Sequence, residues 1–287
     1  MADTGWGNKT SIMEFVLLGF GKVPELQILL FPLFLVIYVV TMAGNILIIA
    51  LVVADQHLHT PMYFFLGNLS CLETCYSSAI LPKMLASLLT RDRTISFPRC
   101  IAQFYFFASL AATECCLLTA MSYDRYLAIC NPLRYAALMN GRLCLQLAAG
   151  SWLSGLIKLA CSDTNLILVL DFLLASLCTL FPFLLTLLSY VYIIVTILRI
   201  PSTGGRQKAF STCSSHLIVV TTFYGTIIIV YMLPKSDTLR DLNKVFSVFY
   251  SVLTPLINPL IYSLKNKEVK EALTFHHYLK RFTIGII

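Results

Sequence analysis

Bilayer-length apolar runs constrain this sequence more than any other feature. About 20 helical residues cross the hydrocarbon layer, and the windows 28–54, 62–89, 98–129, 166–198, 209–233 and 244–264 all reach that length. A seventh window, 141–161, is interrupted by Lys158 yet still spans about 31 Å at 1.5 Å per residue. Lipid offers no hydrogen-bond partner to a backbone, and runs this long lack the alternation of barrel strands, so each window predicts a helix. The expected fold is an all-α membrane protein. A seven-helix transmembrane bundle occupies 28–264, an external segment 1–27 precedes it, and an internal tail 265–287 carries a short amphipathic helix.

The composition agrees, with 58% hydrophobic and only 12% charged residues against about 25% charged in soluble domains. Residues 1–27 have neither a basic start nor an unbroken apolar core, so no cleavable signal is read there. Asn8-Lys9-Thr10 is a glycosylation sequon, making Asn8 a candidate modified residue and the N-terminus external. Seven spans then leave the C-terminus inside. The Lys and Arg distribution votes weakly for this orientation, with 11 of 21 on the inner side.

Most of the ten cysteines fall within spans, where a thiol serves as a small hydrophobe. Cys100 and Cys161 lie at outer helix ends and form the candidate disulfide. No cysteine or histidine spacing suits zinc. Two acids, Glu73 and Glu114, lie deep in the second and third windows, where a carboxylate marks a functional position. Either each is protonated or hydrogen-bonded to a group such as Ser70, Asn45 or Asn258, or a sodium ion lies between them. In Pro255 to Asn266, Pro259 removes a ladder donor and predicts a kink, with Asn258 available for the freed groups or for neighbouring polar side chains. Asp124 and Arg125 close the third window. An Arg at an inner helix end is ordinary anchoring, and next to an aspartate it also forms a latch that a partner can open.

Six motifs occur in order, one per helix: GNILI at Gly44, LHTPMYFFLGNLS at Leu58, MSYDRYLAICNPLRY at Met121, SY at Ser189, KAFSTCSSHL at Lys208 and PLINPLIYSLKN at Pro255. Together they resemble the olfactory receptors, a branch of the rhodopsin-like G-protein-coupled receptors. The resemblance implies an activation latch at Asp124, Arg125 and Tyr126, with Arg125 released toward Tyr190 and Tyr262. It places Lys208 to His216 at the inner start of a moving sixth span, Asn258 and Pro259 among the activation residues, and Glu73, Glu114 and Asn258 around a polar, ion-binding core. The implied partners are a small-molecule odorant, membrane lipids and the stimulatory olfactory heterotrimeric G protein, which raises cyclic AMP, at the plasma membrane. Counting from the motifs places the odorant pocket among Phe107, Ala108, Ala111, Ala112, Leu174, Cys178, Tyr224, Ile227, Ile228, Tyr231, Val248 and Ser251.

One departure stands out. Ser151 to Leu156 runs almost directly into Lys158 to Thr164, so the outer end of the fourth span and most of the following external loop are expected to be missing. The alternative reading is therefore a receptor variant that inserts but is retained or silent. A transporter would require an internal repeat with matching broken helices, and the halves show no self-similarity. A hydrolase would require a nucleophile with a base in reach, and no such motif accompanies His216.

Overall fold

The computed structural model describes residues 14–16, 24–90, 94–160, 167–232, 246–265 and 269, with side chains left aside at 14–16, 24–27, 158–160, 167–176, 231–232, 249 and 263–265. Asn8 and Cys161 lie outside the described residues. Among the described residues, seven long helical segments pack side by side. Helix α1 spans Pro24–Ala54, α2 Pro61–Thr90 and α3 Phe97–Cys130. A four-residue helix α4, Tyr135–Leu138, precedes α5 at Gly141–Ala160, α6 at Ile167–Arg199 and α7 at Thr203–Met232. The last segment is helical from 246, passes through a π-helical turn, Phe249–Leu253, and continues as α8, Thr254–Lys265.

Local chemistry sets several of these boundaries. Asn140 Oδ1 accepts from the Leu143 amide at 2.9 Å and caps α5, and Ser202 Oγ accepts from the Gly205 amide at 3.1 Å and caps α7. That cap explains why α7 starts six residues before its apolar window at 209. The added turns are polar, and a helix below the membrane needs a capped start rather than apolar side chains. At 33 residues α6 is about 50 Å long, more than one bilayer core, so it projects or tilts. Four helices, at Ile28–Ala54, Phe97–Cys130, Leu177–Arg199 and Thr203–Val230, are long and apolar enough to cross a membrane on their own.

Helix α3 is the axis, packing on α2, α5, α6 and α7, while α1 rests on α2 and α8. The shared interior joins Leu66, Leu69, Leu117, Leu118, Ile193, Val219 and Phe223. Outward-facing Ile28, Leu29, Val53, Leu180 and Leu198 are exposed, as a lipid-facing rim requires. Beyond the expected helices, Glu14–Val16 pairs antiparallel with Thr94–Ser96 in a small ribbon, with Phe15 opposite Ile95. Lys83 Nζ donates to the Thr94 carbonyl at 3.0 Å, tying this ribbon to α2.

Gly155 sets a close approach of α5 to α3. A Cβ there would collide with Thr113 Oγ1 and stand 2.5 Å from the Ser109 carbonyl oxygen of α3. Small residues allow such contacts where lipid gives helices no hydrophobic reason to associate. Gly155→Ala should therefore cost about 1–3 kcal/mol through overpacking, whereas Gly150→Ala, whose Cβ meets nothing within 4 Å, should be neutral. Melting curves of the purified variants in lipid nanodiscs check this, and equal melting temperatures would refute the close contact.

Candidate functional site

Three layers of polar and aromatic chemistry run down the bundle around α3. At the inner end, Asp124 is fully buried and Arg125 is 7% exposed. Arg125 Nε donates to Asp124 Oδ2 at 2.9 Å and its terminal NH2 donates to the same oxygen. The other oxygen, Oδ1, accepts from the Tyr135 hydroxyl at 2.7 Å. Tyr135 belongs to α4, so the loop after α3 closes over the pair. Burial, and then the bond to Asp124, hold this phenol above the ordinary tyrosine range, so it is a neutral donor at any physiological pH.

Beside this pair, the buried Tyr190 hydroxyl lies 2.6 Å from His216 Nδ1, and the two rings stack 5.8 Å apart, joining α6 to α7. Tyr262 is fully buried and within electrostatic reach of the Arg125 guanidinium, and its hydroxyl has no partner among the described residues. Tyr126 turns away from Arg125, stacking on Tyr123 and meeting the edge of Tyr192. Lys208 is exposed on the first turns of α7.

The middle layer decides between the two roles open to Asn258. Pro259 has no N–H, so the Pro255 carbonyl four residues earlier loses its ladder donor. The residue that answers it is Asn45 of α1, whose Nδ2 donates to Pro255 O at 3.2 Å and to Thr41 O at 3.0 Å. Gly44 faces the Pro259 ring, where a Cβ would stand at the ordinary contact distance of 3.4 Å. Asn258 takes the other of its two expected roles, donating from Nδ2 to Glu73 Oε1 on α2. Its position next to Pro259 points it across the bundle rather than back along its own helix. Glu73 and Glu114 face a common internal gap with Tyr76, Tyr250 and Thr254. Around it, Glu114 Oε1, Thr254 Oγ1 and Asn258 Oδ1 are buried without partners among the described residues.

The outer layer is a cavity of about 350 Å³. Its α3 wall is Cys100, Gln103, Phe104 and Phe107; Ile80 of α2, Val230 of α7 and Ser247, Tyr250 and Ser251 of the last segment complete it. Aromatic edges form its floor: Phe107 meets Tyr76 at 4.8 Å and Tyr250 at 6.0 Å, and the hydroxyls of Tyr76 and Tyr250 lie 3.1 Å apart. Tyr250 borders both the cavity and the polar gap below.

Of the residues placed in the pocket by counting, Phe107 and Ser251 line this cavity. Ala112 and Tyr224 are buried deeper, with Tyr224 packed on Phe183 and Phe223. Ala111 and Ile227 pack on the main core. Ala108 and Cys178 are half-buried and outside the cavity wall. Ile228 is 43% exposed on the outer face of α7, and Val248 packs toward Phe34, Leu81 and Leu85 of α1 and α2. The side chains of Leu174 and Tyr231 lie outside the described set. Counting missed Gln103, Phe104, Ser247, Tyr250 and Val230 because the cavity lies about one turn further out. Cys100 is a half-buried free thiol on the wall, and its expected partner Cys161 is not described.

Residues 44–162 match the 7 transmembrane receptor (rhodopsin family) pattern, and residues 151–280 match the Olfactory receptor pattern. The chain is 47% identical to olfactory receptor 6N1 of Homo sapiens, with 98% of this chain and 99% of that protein covered. It belongs to the olfactory receptor family. Olfactory receptor 5AP2 of Mus musculus is 45% identical over 95% of this chain and 96% of its own, and olfactory receptor 5A1 of Homo sapiens is 45% identical at the same coverage. The chain is thus a multi-pass, seven-helix receptor, and its family implies a small-molecule ligand and a G-protein partner. The alignment with 6N1 runs over 312 positions, while 98% of 287 residues is about 281, so about 31 positions of that receptor have no residue here. The two family matches change over within 151–162, the segment where the sequence shows its abrupt join.

The Asn45 bridge carries a direct expectation for receptor stability. Asn45→Ala strands the buried Pro255 carbonyl and should cost about 1–3 kcal/mol. A lowered melting temperature in nanodiscs is the expected result, and an unchanged one would mean the carbonyl has another donor.

Proposed function

We propose that this receptor stands in the plasma membrane with its N-terminus outside and Asn8 glycosylated. In this reading it binds a small, mostly apolar volatile compound in the outer cavity and activates the stimulatory olfactory G protein, raising cyclic AMP. The supporting observation is the geometry at Arg125. A cation is buried at the inner end of the central helix, held by a carboxylate whose second oxygen is claimed by Tyr135 of the adjoining loop. A charge held in this way gains little for stability over an apolar pair, but it gives a switch with two settings.

In the proposed sequence, the ligand presses on Phe107 and Tyr250, and the last segment yields at its π-turn and at Pro259. Arg125 then leaves Asp124 for Tyr190 and Tyr262, the Tyr190–His216 link opens, and α7 swings outward to admit the G protein. Lys208, exposed on α7, would face that partner. The unpartnered atoms around Glu73 and Glu114 suit a small cation, and we place a sodium ion there in the resting state, held by the two carboxylates with Thr254 and Asn258 nearby. Bound sodium would supply charge neutralisation that keeps the resting packing closed.

These roles separate experimentally. Tyr135→Phe removes only the hydroxyl on Asp124, so ligand-free cyclic AMP should rise about two- to tenfold, following the net worth of one hydrogen bond; an unchanged basal level would refute the latch. Sodium chloride should raise the melting temperature of the receptor relative to choline chloride, and Glu114→Gln should remove the difference. Equal melting in both salts would refute the ion. A second reading, a receptor retained inside the cell, draws on the roughly 31 absent positions. Surface staining of an N-terminal tag in intact cells decides between them.

A further inference from the structure

We propose that Gln103 sets the chemical class of the ligand, selecting a neutral compound that carries a hydroxyl on an apolar body. The inference rests on reading the outer cavity as the ligand site. Gln103 lies on the α3 wall of that cavity, and its Nε2 donates to the Ala79 carbonyl of α2 at 3.2 Å. That carbonyl belongs to the turn of α2 that precedes Pro82. A backbone carbonyl can only accept, so the bond fixes which end of the amide is nitrogen. The remaining Oε1 has no donor among the described residues and is an acceptor on the cavity wall.

Ser251 adds to the same bias. Its hydroxyl donates to the Ser247 carbonyl at 2.7 Å, which leaves lone pairs for the cavity. The rest of the wall is Phe104, Phe107, Tyr250, Ile80, Val230, Cys100 and Ser247, and among the described residues no charged side chain lines the space. A carboxylate or ammonium ligand would lose its hydration without a counter-charge. An apolar ligand lacking a donor would fill the space but leave the Gln103 oxygen unpaired, a larger loss than a missing attraction. A hydroxyl supplies the donor, and the 350 Å³ volume suits a small body packed on the rings.

The test uses isomers that differ only in having a donor: benzyl alcohol against anisole, and 1-heptanol against 1-methoxyhexane. Dissociation constants are read from melting-temperature shifts of the full-length receptor in nanodiscs, which needs no signalling. At least one alcohol should bind about three- to tenfold tighter than its ether isomer. Gln103→Leu should erase that preference while the ether keeps its affinity, and Gln103→Met provides the same removal of the acceptor if the leucine variant is poorly folded. Equal binding of both isomers in both pairs, no binding of any of the four, or a preference that survives in both variants would each overturn the proposal. Alcohol binding with no cyclic AMP response in cells would instead overturn the signalling reading and leave this one standing.

Discussion

A lipid interior supplies no hydrogen bonds, so every break in a helix must be answered by a neighbouring helix, and the answer given to Pro259 organises this bundle. Its missing donor frees the Pro255 carbonyl, and Asn45 of α1 takes it. That bridge needs α1 within reach, and Gly44 of α1 faces the Pro259 ring. It also leaves Asn258 unneeded on its own helix and able to hold Glu73 of α2. Three helices are thus joined by two side-chain amides at the level where the last segment bends. Helix α8 is held in this position by a few named contacts as well as by packing.

Helix α3 links that level to the two ends of the molecule. Toward the outside, Phe107 and the Tyr76–Tyr250 pair separate the outer cavity from the polar gap, with Tyr250 belonging to both. Toward the inside, α3 ends in Asp124 and Arg125, clamped by the loop through Tyr135. Movement of the last segment therefore has short physical routes to the outer cavity above and to a buried charge pair below. This is the arrangement a receptor needs, with two sites coupled through an element that has two packings.

The apolar windows were legible because bilayer thickness fixes a minimum length, and Asp124, Arg125 and Glu73 were legible because charges in such windows are rare. Contacts between distant residues were not. Nothing in the sequence pairs Tyr135 with Asp124 eleven positions earlier, or Asn45 with a carbonyl 210 positions later. The pocket shows the limit most clearly. Counting back from Asn258 assumes an unbroken α-helix, yet the π-turn at Phe249–Leu253 adds a residue to one turn and rotates everything before it. Val248 is carried toward α1 and α2, and Ser247 takes its place on the cavity wall. Gln103 was overlooked because a polar residue near a helix end is unremarkable until its partner is known.

The central claim is that the Asp124–Arg125–Tyr135 cluster holds one of two packings of the inner bundle. Spin labels attached through keto amino acids at exposed Leu133, in the loop after α3, and exposed Phe210, on α7, report the distance between these parts directly. The account predicts a short distance in the free receptor, and a population several ångströms longer that is favoured by nucleotide-free stimulatory G protein. A single distance unchanged by the G protein, in receptor shown to be folded and at the surface, would contradict it.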